Sequence, residues 1–146
     1  MLLNTPEIIF KKYPSENYKE LCNDYLNKKV NKDIEDRLPH FTPMGFDKLD
    51  ILVFVEVATK KIIAATGIKP YTHDNDIIEC WFIAVDKDYR RLGLGSRLIR
   101  EQFKFIEEKY PGKMFKVSSF TEMGNLFIKP VLIKISKDFP KITLLK

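Results

Sequence analysis

Residues 79–99 constrain the fold of this chain more than any other segment of its sequence. They begin with the apolar run ECWFIAV, continue through the basic stretch DKDYRRLGLG and end in SRLI. Apolar side chains then recur at helical spacing, at Ile99, Phe103, Ile106 and Tyr110. A short apolar run indicates a buried strand, and this spacing indicates an amphipathic helix. The segment therefore predicts a strand joined by a two-glycine loop to a helix over residues 95–110, which packs on the sheet.

The rest of the chain supplies further strands and helices for the same sheet. Apolar and β-branched runs predict strands over residues 7–13, 51–59, 62–71, 77–85, 114–120 and 142–145. Helices are predicted after a capping Ser15, over residues 30–38, and over residues 130–139 with Pro130 in the first turn. Residues 60–61 and 72–76 are predicted turns, and residues 40–50 a loop. The prediction is one α+β domain, residues 1–146, with a mixed, mostly antiparallel sheet flanked by helices.

Composition excludes several classes of protein. With 146 residues, 45% of them apolar and 31% charged, the chain can bury one core, which argues against disorder. No apolar run approaches the roughly 18 residues of a membrane helix. The first residues do not resemble a secretion signal, and two cysteines make no disulfide framework. We therefore expect a soluble, cytoplasmic protein that does not bind membranes.

The net charge of +5 is concentrated in the last 36 residues, where seven lysines stand against two acidic residues. Two interpretations of this basic segment remain open. It is either a solvated face or a surface that meets an anionic partner or substrate.

The loop between strand and helix has the features of an anion-binding site. Gly93 and Gly95 lack Cβ atoms, so a ligand can approach the backbone closely. The first helical amides have no intrahelical partner, and Arg90 and Arg91 add positive charge. A pyrophosphate fits this combination, and the alternative is a basic turn with a glycine kink. The dinucleotide fingerprint is excluded because the preceding strands form an antiparallel meander, and the P-loop because no Gly-Lys-Ser/Thr ending occurs.

The same segment resembles the signature of the GNAT superfamily of acyl-coenzyme A N-acyltransferases. That signature is Arg or Gln, two residues, Gly, one residue, and Gly or Ala, and here Arg90, Gly93 and Gly95 fill it. The preceding IAVDKDYR is similar to the family's strand end and loop, and SRLIREQFKFIEEKY to its following helix. The predicted element order over residues 7–139 is similar too. The resemblance implies a GNAT-like sheet with a splayed strand pair that holds acyl-CoA.

The resemblance also implies which residues contact acetyl-CoA. The pyrophosphate would lie on the loop amides, and the pantetheine arm would pair with the exposed backbone of the splayed strand. The Ile83 amide would bind the thioester carbonyl and then the oxyanion, which makes Ile83 catalytic as well. Asn125 matches an Asn that follows the family's next strand. The implied cofactor-binding residues are Ile83, Ala84, Val85, Arg90, Arg91, Leu92, Gly93, Leu94, Gly95, Ser96 and Asn125.

Acyl transfer to an amine needs a base, since an amine of pKa near ~10.4 is almost wholly protonated at neutral pH. Glu79 stands eleven residues before Arg90, where one histone-acetylating branch of the family has its catalytic glutamate. It is predicted to share a strand face with Trp81 and Ile83. A solvated strand-end glutamate is the alternative, and His73 is a second candidate base. We expect His40 and Cys80 to be structural and Cys22 to lie in the core.

The family's usual acid is missing from this sequence. Members often have a Tyr about seven residues after the Asn, which protonates the leaving thiolate, but that position is Leu132 and no Tyr follows Tyr110. Ser118, Ser119 or water could replace it, and a thiol of pKa near ~8.5 leaves without help. Few residues remain where the family has its last two strands. We therefore expect a substrate wall that is open or is completed by a second chain, as in a homodimer.

These observations predict an N-acetyltransferase that moves an acetyl group from acetyl-CoA to an amine by direct attack, without a metal. The acceptor could be a small amine, a protein amine or a nucleic-acid amine, and the basic C-terminal segment favours an anionic one. Two other classes remain open. One is an acyl-CoA-binding module with little catalysis, and the other is a binder of nucleic acid or another anionic partner through its lysines.

Overall fold

The computed structural model describes residues 6–25, 48–117 and 122–145. The strands in these residues are β1 (Ile8–Tyr13), β2 (Asp50–Glu56), β3 (Lys61–Tyr71), β4 (Asp74–Val85), β5 (Met114–Val117) and β6 (Thr143–Leu145). The α-helices are α1 (Tyr18–Tyr25), α2 (Leu94–Lys109) and α3 (Glu122–Ser136). Short 3-10 helices span Ser15–Asn17 and Lys87–Leu92.

The strands lie side by side in the order in which they follow one another along the chain. β1 to β4 are antiparallel, whereas β5 pairs parallel with β4, and β6 pairs parallel with β5. Parallel neighbours need a crossover connection, and α2 and α3 lie in these two connections. The predicted mixed, mostly antiparallel sheet with flanking helices is confirmed.

Apolar side chains cover both faces of the sheet. On one face, Leu21 of α1 packs against Ile51 and Val53 of β2. On the other face, α2 and α3 pack on the sheet and on each other, with a shared cluster of Ile99, Phe103, Ile106, Leu132 and Ile135. β2 is buried on both faces along its whole length, which explains why its sequence is a continuous apolar run instead of an alternating one.

A β-bulge at Trp81 divides β4 into two halves. The pair Gly67–Phe82 is followed by the pair Ile68–Cys80, so Trp81 is an extra residue without a partner on β3. An extra residue reverses which side chains face which side of the sheet. Cys80 before the bulge and Ile83 after it therefore both pack on the α2 face, although they are three residues apart. Phe82 packs on the α1 face.

α3 begins eight residues earlier than predicted, and Pro130 lies in its interior. Proline lacks an amide hydrogen and is usually confined to the first turn of a helix, so the sequence pattern indicated a helix start at this residue. The helix continues through Pro130 because the proline is on its exposed side, while Leu132 and Ile135 are buried against α2. Packing of the apolar face outweighs the local preference here.

Two predictions about the N-terminal segment are wrong. Ser15 does not cap a helix, because it lies inside the 3-10 helix that follows Pro14 and its hydroxyl donates to Glu16 Oε2 at 3.3 Å. Cys22 is half-buried and not a core residue, because Leu21 occupies the fully buried position of α1.

Several strand ends differ by a few residues from the prediction. β2 begins at Asp50 and ends at Glu56, because the chain turns at residues 57–60, where Lys60 has a φ of 57°. β4 extends back to Asp74, which shortens the predicted turn at 72–76 to residues 72–73. The predicted helix over 30–38, His40, most of the 40–50 loop, Ser118 and Ser119 lie outside the described residues.

Asp50 joins three parts of the fold. It is 1% exposed, and its Oδ1 accepts from the Ser15 amide at 2.8 Å and from Lys109 Nζ at 2.6 Å, while its Oδ2 accepts from the Tyr110 hydroxyl at 2.5 Å. Burial and the bond to Asp50 raise the pKa of Tyr110 to about 12. Burial alone would lower the pKa of Lys109, but its bonds to Asp50 and Glu16 raise it. The C-terminal end of α2 is thereby fastened to β2 and the N-terminal segment.

Candidate functional site

After the bulge, β4 points backbone groups away from β3 at every second residue. The Asp86 amide donates to the Ile63 carbonyl at 2.8 Å, so these two residues form a hydrogen-bonded antiparallel pair. Bonded and non-bonded pairs alternate along such a ladder, so the N–H and C=O groups of Ile83 and Val85 point away from β3. In agreement, Arg90 Nε donates to the Val85 carbonyl at 3.4 Å from outside the sheet.

β5 accompanies β4 over only part of its length. The paired residues run from Ile77–Met114 to Cys80–Val117, where the described part of β5 ends, whereas β4 continues to Val85. The outward backbone groups of Ile83 and Val85 therefore lie beyond the described pairing with β5. Such a strand end can pair with an extended ligand, as a sheet edge pairs with a peptide.

The two-glycine loop follows directly from this end of β4. The Asp86 side chain accepts from the Asp88 amide at 3.0 Å and starts the 3-10 helix Lys87–Leu92, which the sequence pattern did not predict. Gly93 then adopts φ 66° and ψ 26°, a left-handed conformation that costs other residues about 1–2 kcal/mol. This conformation lets the chain reverse and begin α2 at Leu94.

The N-terminus of α2 presents unpaired amides. Its first backbone bond runs from the Arg97 amide to the Gly93 carbonyl at 3.2 Å, so the amides of Leu94, Gly95 and Ser96 have no intrahelical partner. Among the described residues no side chain caps this end, and no acidic residue stands in the first turn. The helix dipole therefore favours an anion at this position.

The two glycines of the loop have open space around them. A Cβ at Gly93 would meet no atom within 4 Å, and one at Gly95 would touch only Val85 Cγ2 at 3.9 Å. Arg90 and Arg91 are exposed at the same loop. The loop, the α2 N-terminus and the outward backbone of β4 thus form one continuous surface, which contains most of the predicted cofactor-binding residues. Ala84 differs from its neighbours, since its side chain is buried in the core on the α1 face.

A buried polar network connects α2 to the bulge of β4. Gln102 Nε2 donates to Thr66 Oγ1 at 2.5 Å and lies 3.2 Å from Cys80 Sγ, and Thr66 Oγ1 donates to the Phe82 carbonyl at 2.6 Å. Burial raises the pKa of the Cys80 thiol to about 11 despite these bonds, so Cys80 remains a neutral thiol and the prediction of a structural role fits its surroundings. Gln102 Oε1 is buried without a partner in the described part of the chain.

This network was not predicted, although the sequence contains a signal for it. Gln102 interrupts the apolar stripe of the predicted helix, and Thr66 interrupts an apolar strand. Both side chains are 0% exposed. Two polar residues on adjacent buried faces indicate a hydrogen-bonded pair, because a buried polar group is costly without a partner.

Glu79 does not share a face with Ile83, contrary to the prediction. It follows Ile78 and precedes Cys80, which both face α2, so Glu79 points to the α1 side. The bulge at Trp81 then directs Ile83 back to the α2 side. Glu79 is half-buried, and among the described residues it makes no hydrogen bond or ion pair. His73 lies in an exposed turn, with its ring 5.3 Å from that of Tyr71.

The remaining predicted positions lie on α3. Asn125 is in the first half of this helix. Leu132 is 2% exposed and packs in the core between α2 and the sheet. The position at which similar sequences often have a tyrosine that protonates the leaving thiolate is therefore a core position in this chain.

The described residues contain neither a candidate metal cluster nor a helix that could span a membrane. No group of three or more His, Cys, Asp or Glu side chains in this part of the chain could hold a metal ion. None of the helices described here has the length and hydrophobicity needed to cross a membrane.

Comparison with known proteins was carried out at the levels of family, sequence and structure. Residues 12–125 match the sequence model of the "Acetyltransferase (GNAT) family". A search of curated proteins found no significant match.

Solved structures share the fold at low identity. The ribosomal-protein-S18-alanine N-acetyltransferase from Escherichia coli aligns with a TM-score of 0.56 and 16% identity, over 91% of this chain and 76% of that one. Diaminobutyrate acetyltransferase EctA from Paenibacillus lautus, in complex with its substrate and coenzyme A, aligns with a TM-score of 0.56 and 9% identity, over 92% and 77%. A putative streptothricin acetyltransferase from Bacillus anthracis with acetyl coenzyme A is 24% identical at a TM-score of 0.46, and the chain spans 47% of its length.

Proposed function

The chain belongs to the GNAT family of acetyltransferases, which take the acetyl group from acetyl-CoA, and on this premise we propose that it passes that group to an amine by direct attack. The observation that supports this most is the surface at the end of β4. Three unpaired amides at the N-terminus of α2 lie beside a strand whose Ile83 and Val85 backbone groups point outward. The first feature suits a diphosphate and the second suits an extended amide-containing arm.

The residues of the loop would hold the diphosphate of acetyl-CoA. Leu94, Gly95 and Ser96 supply amides that the helix leaves unpaired, and Arg90 and Arg91 supply charge at an exposed position. The open space at Gly93 allows close approach to the backbone. These features suit a diphosphate.

The amide of Ile83 would receive the thioester oxygen. It points away from β3, so it is directed at the side of the strand on which the pantetheine arm would lie. A backbone donor that meets a developing oxyanion typically lowers a barrier by about 3–4 kcal/mol. The network of Gln102 and Thr66 supports this role, because it holds the carbonyl of the preceding residue, Phe82.

Glu79 would act as the base. The amine nitrogen attacks the thioester carbonyl, a C–N bond forms and the C–S bond breaks, and the amine proton passes to the Glu79 carboxylate directly or through water. The absence of a partner for Glu79 within the described residues supports this role, since the carboxylate is available to a substrate. The leaving thiolate takes its proton from water, because Leu132 offers no acid.

Turnover of acetyl-CoA with a panel of primary amines tests the proposal. We expect amine-dependent release of the coenzyme A thiol and formation of an N-acetyl product that mass spectrometry detects. Coenzyme A at one hundred times its Kd should add about 2.7 kcal/mol to the free energy of unfolding, whereas pantetheine, which lacks the diphosphate, should add far less. Equal stabilisation by both compounds would argue against the diphosphate site.

A binding module without catalysis is the second candidate, and the buried Leu132 favours it. It predicts the same stabilisation by coenzyme A but no N-acetyl product with any amine. The two assays together therefore separate an enzyme, a coenzyme A-binding module and a chain that does neither.

A further inference from the structure

Three charged residues stand in one row across three strands beside the proposed reaction site. Glu79 of β4 is in register with Lys69 of β3 on one side and with Lys116 of β5 on the other. Residues in register on adjacent strands point to the same face of the sheet. The backbone positions of two lysines therefore flank that of Glu79 on this face, at the strand spacing of about 4.8 Å.

The two lysines contact aromatic rings instead of Glu79. Lys69 Nζ lies 4.2 Å from the ring centre of Trp81, and Lys116 Nζ lies 4.4 Å from that of Tyr71. Neither lysine makes an ion pair in the part of the chain that the structure describes. The rings hold the ammonium groups by cation–π attraction and leave their outer hydrogen-bond donors free for a ligand.

The row of three charged residues includes the proposed base, so the acceptor amine must approach it. Glu79 is the proposed base, and Trp81, at the bulge two residues later, is 54% exposed. An amine that reaches the Glu79 carboxylate therefore lies on the face of the sheet that also carries Lys69 and Lys116. A lone amine would meet two like charges there, whereas an amine with its own anionic group would meet an opposite charge.

We propose that the acceptor is a small primary amine that carries an anionic group, a carboxylate or a phosphate. The amine is held by Glu79, the anion by Lys69 and Lys116, and Trp81 forms one wall of the site. This inference rests on the proposed acetyltransferase function and adds the chemical class of the acceptor. Lysine binds a carboxylate and a phosphate alike, as a point charge. The two lysines therefore predict that the acceptor is anionic, and both anions are tested.

Two matched pairs of acceptors test the inference. β-Alanine is compared with β-alaninamide, and 2-aminoethyl phosphate with ethanolamine, each at saturating acetyl-CoA. We expect kcat/KM to be at least about tenfold higher for the anionic member of each pair, as an added charge-assisted hydrogen bond allows. A preference in only one pair identifies the anion as a carboxylate or as a phosphate.

Variants that remove one lysine charge test which side chains cause the preference for anionic acceptors. Lys69→Met and Lys116→Met keep the apolar part of the side chain over the ring, and each should lower kcat/KM for the anionic acceptor about tenfold while changing the neutral one less than about twofold. The corresponding arginine variants should retain most of the preference. Lys61→Met, an exposed lysine at the other end of β3, is the matched control and should change neither.

The outcomes separate failure of this inference from failure of the proposed function. Equal turnover of the charged and neutral amines overturns the inference and leaves an acetyltransferase. A preference that survives both lysine variants also overturns it, because the anion would then be bound elsewhere. If no amine is acetylated although coenzyme A binds, the proposed function fails, and the acceptor class fails with it.

Discussion

The Gln102 amide donates to the Thr66 hydroxyl at 2.5 Å in the interior of the protein, where both side chains are fully buried. Gln102 belongs to the helix whose N-terminus presents unpaired amides, and Thr66 belongs to β3. The Thr66 hydroxyl in turn donates to the Phe82 carbonyl at the bulge. One chain of hydrogen bonds therefore ties the two halves of the candidate site together.

Replacing Thr66 with Val should destabilise the protein by about 1–3 kcal/mol, because it removes both bonds and leaves buried groups of Gln102 and Phe82 without their partner. Gln102→Met should lower the free energy of unfolding less than Thr66→Val does, since it also removes the buried Oε1 that has no partner among the described residues. Urea unfolding measures both changes. Thr143→Val, at an exposed position of β6, is the control and should stay within about 0.5 kcal/mol of the parent protein. A neutral Thr66→Val would contradict the assigned network.

Gly93→Ala and Gly112→Ala form a matched pair. Both glycines have a positive φ, 66° and 80°, and at neither does any atom lie within 4 Å of the place that an alanine methyl group would take. Each substitution should therefore cost about 1–2 kcal/mol of stability through backbone strain alone. Only Gly93→Ala should also weaken coenzyme A binding, by about tenfold, because its methyl group occupies open space at the proposed diphosphate loop. Calorimetric titration checks this, and equal affinities of the two variants would rule out the loop as the diphosphate site.

Stability should decrease above pH 10. The pKa of Tyr110 is raised from 10.0 to about 12 in the folded protein, so its contribution is complete below pH 10 and is lost as the pH rises from 10 to about 12. The raised pKa of Lys109 acts in the same direction at alkaline pH. The free energy of unfolding in urea, measured over this range, should fall less steeply in Tyr110→Phe. In a spectroscopic titration, the tyrosinate signal missing from that variant should appear only near pH 12 in the parent protein.

Glu79→Gln should lower kcat by about 10²–10⁴-fold, the usual contribution of a general base. Coenzyme A affinity should not change, because Glu79 lies on the opposite face of the sheet from the α2 core. Asp76→Asn, an exposed carboxylate on the same strand, is the control and should retain full turnover. Retained activity in Glu79→Gln would assign the base to another group, and His73→Gln would be the next variant to measure.

Much of the fold follows from patterns that are local in the sequence. The strands β1 to β4 are short runs of apolar and β-branched residues, and the helix α2 has a clear helical periodicity. The start of α3 could not be predicted in this way. Pro130 is a strong local signal, and only the packing of Leu132 and Ile135 on α2 overrides it.

The candidate site shows the same limit. The family signature located the loop, because the whole signature lies within one short segment of the sequence. The faces on which Glu79 and Ile83 lie depend instead on a β-bulge, which adds one residue to β4 relative to β3. The bulge arises from the pairing of the two strands, so the sequence of β4 alone does not predict it. The row formed by Lys69, Glu79 and Lys116 depends on the register of three strands, which is likewise a property of the assembled sheet.

Among the residues that the structure describes, side chains fix the C-terminal end of α2 but not its first turn, so we expect the helix to open locally at its N-terminal end. At its C-terminal end Lys109 and Tyr110 bond to the buried Asp50, whereas its first turn has no capping side chain in the described structure. Deuterium should therefore enter the amides of Leu94, Gly95 and Ser96 quickly and those of the last turns slowly. A bound diphosphate would slow deuterium exchange at these three N-terminal amides. Their exchange rates, compared with those of the last turns, would therefore measure how fully the site is occupied.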